Sequence, residues 1–139
     1  MAVPVLEAIA DAIMVEEGWK PGSRSYRNRN PGNLRERSRA LGKDAGAYTV
    51  FPSLVMGYFE LLNDLHAKVT GNNAHGLNAD STLLQLFEVY APKSDDNSPS
   101  PYSHCVAQWL REVYGCGDIH FDSTFREIFD SVKQELPCV

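Results

Sequence analysis

Glu16 and Glu17 sit side by side ahead of Gly18 and Trp19, and the next sixteen residues, "KPGSRSYRNRNPGNLR", crowd arginines and asparagines together. A carboxyl group kept protonated near neutral pH can act as a general acid toward a leaving oxygen. Asn28, Asn30 and Asn33 carry amides that donate and accept at once, as sugar hydroxyls and acetamido groups require. Asparagine and glycine are equally the ordinary material of turns, and "NPGN" makes a turn in any protein. Trp19 could line the same cleft as the acid.

The element that must aim such an acid is the stretch before it. Leu6, Ile9, Ala10 and Ile13 fall at helical spacing, Pro4 suits the first turn, and Gly18 and Pro21 are stop signals, so residues 4 to 17 are expected to form an amphipathic helix. At about 100° per residue the centre of that apolar stripe lies roughly 30° from Glu17 and roughly 70° from Glu16. Glu17 is therefore the inward carboxylate. At a helix C-terminus the unsatisfied carbonyls oppose negative charge, and burial does the same, so both effects would raise its pKa. The plainer alternative is a helix-end carboxylate paired with an arginine of the following loop.

Residues 20 to 50 lack helical periodicity and predict a long functional loop, with a small β-hairpin ending in "AYTVF". Leu54, Val55, Tyr58, Leu61, Leu62 and Leu65 predict a core helix beginning at Pro52 or Ser53. A further helix follows Asp80 or Ser81 as N-cap, with Leu83, Leu84, Leu86 and Phe87 as core and Pro92 as terminator. Residues 101 to 114 and about 123 to 136 predict two more. Tyr90, at a helix end, either packs in the core or meets a ligand. The fold class is mainly α, with a long loop or small hairpin after the first helix.

A length of 139 residues, 43% of them hydrophobic, suits one domain, residues 1–139. The net charge of -5 argues against nucleic acid or an anionic membrane as the main partner, although Arg24, Arg27, Arg29, Arg35, Arg37 and Arg39 make one loop strongly basic. Cys105, Cys116 and Cys138 are an odd set without metal-ligand spacing, and the four histidines are isolated, so neither a zinc site nor another cofactor is expected. Free thiols are the simpler reading, and one pair could bridge outside a reducing compartment. The N-terminal stretch has no basic region and is broken by Glu7 and Asp11, which predicts neither a secretory signal nor a membrane-inserted segment.

These stretches resemble the lysozyme-like superfamily of peptidoglycan-cleaving enzymes, particularly lytic transglycosylases and phage-type muralytic domains. "AIMVEE" at 12 to 17 is similar to a family helix whose last residue is the catalytic glutamate, a register that selects Glu17. Glu17-Gly18-Trp19 followed by Arg27-Asn28-Arg29-Asn30-Pro31-Gly32-Asn33-Leu34 resembles a subgroup's Glu-Gly-aromatic step and its Arg-Asn-Asn-Asn-Pro-Gly-Asn-Leu segment, with Arg29 in place of one Asn. "YTVFPSLVMGYFELLNDL" and "YAPKSDDNSPSPY" extend the likeness over about residues 9 to 110.

The resemblance implies a lysozyme-like fold and cleavage of the β-1,4 bond between N-acetylmuramic acid and N-acetylglucosamine at the bacterial cell wall, without a cofactor. It implies Glu17 as acid and then base, with the sugar's own 6-hydroxyl closing an anhydro ring, or water admitted instead. Asn30 and Asn33 would shape the cleft and hold glycan, Trp19 would line it, Tyr90 would stack on a sugar or bond to Glu17, and Arg27 would meet wall carboxylates. A two-carboxylate scheme needs a partner, for which Asp44, Asp95 and Asp96 are the loop candidates. Competing readings are a non-catalytic glycan-binding or virion structural module of the same fold, and a chitin-cleaving enzyme.

Overall fold

A computed structural model describes residues 4–35, 40–90 and 99–138. Arg37, Arg39, Pro92, Asp95, Asp96 and most of the segment from Tyr90 to Tyr102 thus lie outside the described residues. The protein is mainly helical: α1 (Val5–Glu16), α2 (Arg24–Arg27), α3 (Leu54–Thr70), α4 (Leu83–Tyr90), α5 (Pro99–Glu112) and α6 (Phe125–Ser131), with an antiparallel hairpin of β1 (Gly42–Lys43) and β2 (Thr49–Val50). The chain divides into two compact units, Ala10–Asp64 and the remainder on either side of it.

In the Ala10–Asp64 unit, Ala10, Ala12 and Ile13 bury the inner stripe of α1, as the 3.6-residue period predicts. Leu34, Phe51 and Leu61 complete the buried apolar set. The Tyr58 hydroxyl donates to Asp11 Oδ1 at 2.7 Å, tying α3 to α1. The hairpin pairs Gly42 with Val50 and Lys43 with Thr49, and the Leu34 carbonyl accepts from Thr49 N–H at 2.9 Å, so the loop after α2 is laced to β2. One expectation fails here: Leu54 and Val55, assigned to the buried face of α3, are 41% and 79% exposed. Burial on that helix starts at Gly57, because its first turn stands out from the unit while Leu61 is enclosed. The short helix α2 was not foreseen, since four residues carry no period; Ser23 starts it by accepting from Tyr26 N–H.

The other unit is built on two reciprocal caps. Thr82 Oγ1 accepts from Gln85 N–H at 3.1 Å while Gln85 Oε1 accepts from Thr82 N–H at 2.9 Å. Thr124 and Glu127 form the same box at the start of α6. The N-cap of α4 is therefore Thr82 rather than Asp80, which pairs with Arg126 at 2.8 Å, or Ser81, whose hydroxyl accepts from Asn78 N–H. An isolated antiparallel bridge joins Thr82 to Thr124, setting both helix starts side by side. Leu83, Leu86 and Phe87 of α4 are buried, and α4 packs on α5 through Phe87 and Tyr102, with rings 4.4 Å apart. Helix α6 stops at Ser131, short of the expected Leu136, with Val132 as C-cap and Lys133 in the left-handed region. Among the described residues the three cysteines form no disulfide, no metal-ligating cluster occurs, and no helix is long and apolar enough to cross a membrane.

Candidate active site

Glu17 occupies the C-cap of α1, where the chain closes the helix with a paired set of bonds. Trp19 N–H donates to the Met14 carbonyl at 3.2 Å and Gly18 N–H to the Val15 carbonyl at 2.9 Å, the six-to-one and five-to-two bonds of a Schellman motif. That motif needs a left-handed residue just past the cap, and Gly18 supplies it with φ of 74°. The consequence is directional. Glu17 is fixed half-buried at the end of the helix while Glu16 stays exposed, the asymmetry expected from helical phase.

The loop after α2 reaches back to this carboxylate. Asn33 Nδ2 donates to Glu17 Oε2 at 3.1 Å. The Asn30-Pro31-Gly32-Asn33 segment forms a turn in which Asn33 N–H donates to the Asn30 carbonyl at 3.0 Å, leaving Asn33 left-handed at φ of 48°. Asparagine tolerates that conformation better than most residues, yet it remains costly. The Asn33 Oδ1 is also buried without a hydrogen-bond partner among the described residues. An unmet buried acceptor costs about 1–3 kcal/mol. Two costs thus fall on a residue whose side chain holds Glu17.

Asn30 plays a different part from the one the sequence suggests. It is 0% exposed, its Nδ2 donates to the carbonyls of Leu34 and Thr49, each at 2.9 Å, and its Oδ1 accepts from Leu34 N–H at 2.9 Å. Both donors and the acceptor are engaged, so Asn30 shapes the loop and has nothing to offer a sugar. Asn28 is likewise buried, with its Nδ2 on Asp44 Oδ2 at 2.9 Å.

Asp44, a candidate second carboxylate, is absorbed by the same scaffold. Besides Asn28, its Oδ1 accepts from Gly46 N–H at 2.9 Å and Tyr48 N–H at 3.0 Å, and Arg24 approaches Oδ2 at 3.5 Å. The Asn28 amide is the largest influence on its carboxyl, desolvation opposes it, and the Tyr48 and Gly46 N–H groups and the Arg24 charge add to Asn28, so that the carboxyl is held below the ordinary carboxylate range. An acid bonded this way pins the hairpin turn. Its oxygens are occupied by these donors rather than offered to a water or a sugar.

Trp19, Gly22, Tyr26, Arg27, Arg29 and Leu54 line a cleft of about 660 Å³ in this unit. The Trp19 and Tyr26 rings lie 5.1 Å apart at 54°, and Arg27 Nη1 donates to the Gly22 carbonyl at 2.8 Å, which sets the direction of its guanidinium. Arg29 is exposed, with φ of 50°. Tyr90 belongs to the other unit, where its ring meets Phe87 edge-on at 6.1 Å and lies 5.0 Å from Lys68 Nζ.

Two contributors escaped the sequence reading. Tyr26 is one, hidden in a loop without periodicity. Gly57 is the other: a Cβ built there would stand 2.0 Å from the Arg29 carbonyl oxygen and 3.0 Å from Pro31 Cδ. Only a glycine lets α3 pass this close to the loop that carries Asn33. A glycine inside a helix costs about 1 kcal/mol relative to alanine, so its presence at position 57 was the available signal. No protein-family model, curated protein or solved structure gives a significant match to the chain.

Proposed function

We propose that this protein is a peptidoglycan-cleaving glycosidase of lysozyme-like fold, in which Glu17 is the general acid and base. The observation that carries this reading is the Glu17–Asn33 pair: a half-buried carboxyl at a fixed helix end, gripped by an asparagine whose own conformation and buried oxygen are unfavourable. Costs of that kind collect where geometry serves function rather than stability. In the reaction Glu17 would protonate the oxygen of the β-1,4 bond between N-acetylmuramic acid and N-acetylglucosamine. The resulting carboxylate would then accept the proton of the sugar's 6-hydroxyl as an anhydro ring closes. The engagement of both Asp44 oxygens in the hairpin removes one candidate for the second carboxylate that a two-carboxylate hydrolysis needs.

The test is clearance of a suspension of purified cell wall by the wild type and by Glu17→Gln, with far-ultraviolet dichroism to verify the fold. Removing a general acid is expected to lower the rate by about 10²- to 10⁴-fold. An unchanged rate refutes the assignment, and no clearance by the wild type favours a glycan-binding module instead. A mass spectrum of the products separates anhydro ends from reducing ends, which are heavier by one water.

A further inference from the structure

The exposed Leu54 and Val55 of α3 belong to a larger apolar face. With Met14 of α1 and with Tyr58, Phe59 and Leu62 they line an open groove of about 420 Å³ whose walls are almost wholly apolar, all of it within the Ala10–Asp64 unit. Phe59 is 44% exposed, and Val15, next to Met14 in sequence, is 52% exposed. At about 100° per residue the five α3 positions share an arc of about 140°. Glu60, the one charged residue between Leu54 and Leu62, is buried on a different face of the helix. The Tyr58 hydroxyl is turned to Asp11, which leaves its ring to the groove.

We propose that this face is the interface of a twofold dimer, covered by α3 of a second copy of the chain. Three properties select that occupant. The first is area: the exposed parts of Leu54, Val55 and Phe59, with Val15 and the half-buried Met14, Tyr58 and Leu62, leave roughly 500 Å² of apolar surface in water, at the upper end for a monomer. A stable interface takes about 800 Å² from each partner, and in homodimers about 65% of it is apolar, which again is roughly 500 Å². The second is charge: a chain at -5 repels its own copies over most of its surface, and these seven residues bring no charge to oppose the approach. The third is self-complementarity. Set antiparallel about an axis between residues 58 and 59, one α3 places Val55 against the partner's Leu62 and Tyr58 against the partner's Phe59, and each pair occurs twice, as an isologous contact requires. Leu54 also lines the cleft of Trp19 and Tyr26, so the partner helix borders that cleft.

The experiment is sedimentation equilibrium of the whole chain over about 1–200 µM, the range in which an interface of this size associates, with dichroism to verify the fold of every variant. The wild type is expected to approach twice the chain mass at the upper end. Val55 is 79% exposed, so Val55→Glu leaves the packing of its own unit alone; by setting two carboxylates into the interface it should weaken association by about 100-fold or more and give the monomer mass throughout. Phe59→Ser should act in the same direction. Val113→Glu, at an equally apolar and exposed position of the other unit, should change nothing. A chain with Val55→Cys and Leu62→Cys, and with Cys105→Ser and Cys138→Ser, should form a disulfide-linked dimer on oxidation, because the two positions lie about 10 Å apart within one helix and meet only across the axis. Monomer mass at every concentration, or a dimer that survives both Val55→Glu and Phe59→Ser, overturns the proposal. A monomer that co-sediments with phosphatidylcholine vesicles through Val55 overturns it too and gives the face to a lipid surface. A wild-type dimer whose cysteine variant stays reduced refutes the antiparallel register. Mass is read without any wall substrate, so failure of the dimer and failure of the catalytic reading are separate results.

Discussion

Replacing Gly57 by alanine sets two magnitudes against each other. In an exposed helix the change would stabilise by about 1 kcal/mol, because glycine is the poorer helix former. Here the added Cβ meets the Arg29 carbonyl oxygen at 2.0 Å, whereas ordinary contacts begin near 3.4 Å, so backbone must move by more than 1 Å. Arg29 cannot simply rotate away, being left-handed and hydrogen-bonded to Tyr26. Overpacking of this kind costs about 3 kcal/mol, which outweighs the propensity gain and leaves a net loss of about 2 kcal/mol. For a chain of this size that corresponds to a fall in Tm of about 6–10 °C. The turn displaced by α3 ends in Asn33, so a shift near 1 Å at Glu17's partner should also lower wall clearance by about 10²-fold. Thermal unfolding followed by dichroism and a clearance assay on the still-folded variant provide both readings, with Asn63→Ala on the exposed face of α3 as the helix-propensity control. A Tm equal to or above that of the wild type would refute the reasoning, since α3 would then not press on the Arg29 carbonyl.

Asn33→Gly relieves the left-handed strain and removes the buried unmet oxygen, so it should leave Tm unchanged or raised while lowering clearance by about tenfold or more. Asn30→Ala strips three buried hydrogen bonds and should destabilise by about 3 kcal/mol or more, measured by urea unfolding. Asp44 has a folded pKa below its ordinary 3.8, so its stabilising contribution is complete above that value and disappears as pH falls through the folded pKa; the stability difference between wild type and Asp44→Asn should be constant at neutral pH and shrink in acid. Thr124→Ala breaks the cap of α6 and should cost about 1 kcal/mol without changing the rate of wall clearance.

Helix α1 was legible almost to the residue because a 3.6-residue apolar period and a glycine stop act locally and reinforce each other. The phase of Glu17 followed from the same geometry. The hairpin was legible only as a region, since two-residue strands carry no alternation and its position is fixed by Leu34 and Asn30 reaching from elsewhere in sequence, with Asp44 pinning the turn. The role of Asn30 was hidden for the same reason: an asparagine that builds a loop and one that binds a sugar have the same letter, and burial alone separates them. At α3 the period persisted while burial did not, because an amphipathic pattern reports which residues share a face and not how much of that face is covered.

The Asn30 amide joins the carbonyls of Leu34 and Thr49, and the backbone bond between those two residues closes the same point. Positions 34 and 49 are therefore clasped together, Asn28 and Arg24 make a second tie at Asp44, and Asn33 and Glu17 lie on the near side of both. A change of loop length away from these ties should therefore leave the Asn33–Glu17 contact as it is. The two parts of the loop, the one that holds Glu17 and the one beyond the clasp, can for that reason diverge independently in evolution or in the hands of an engineer.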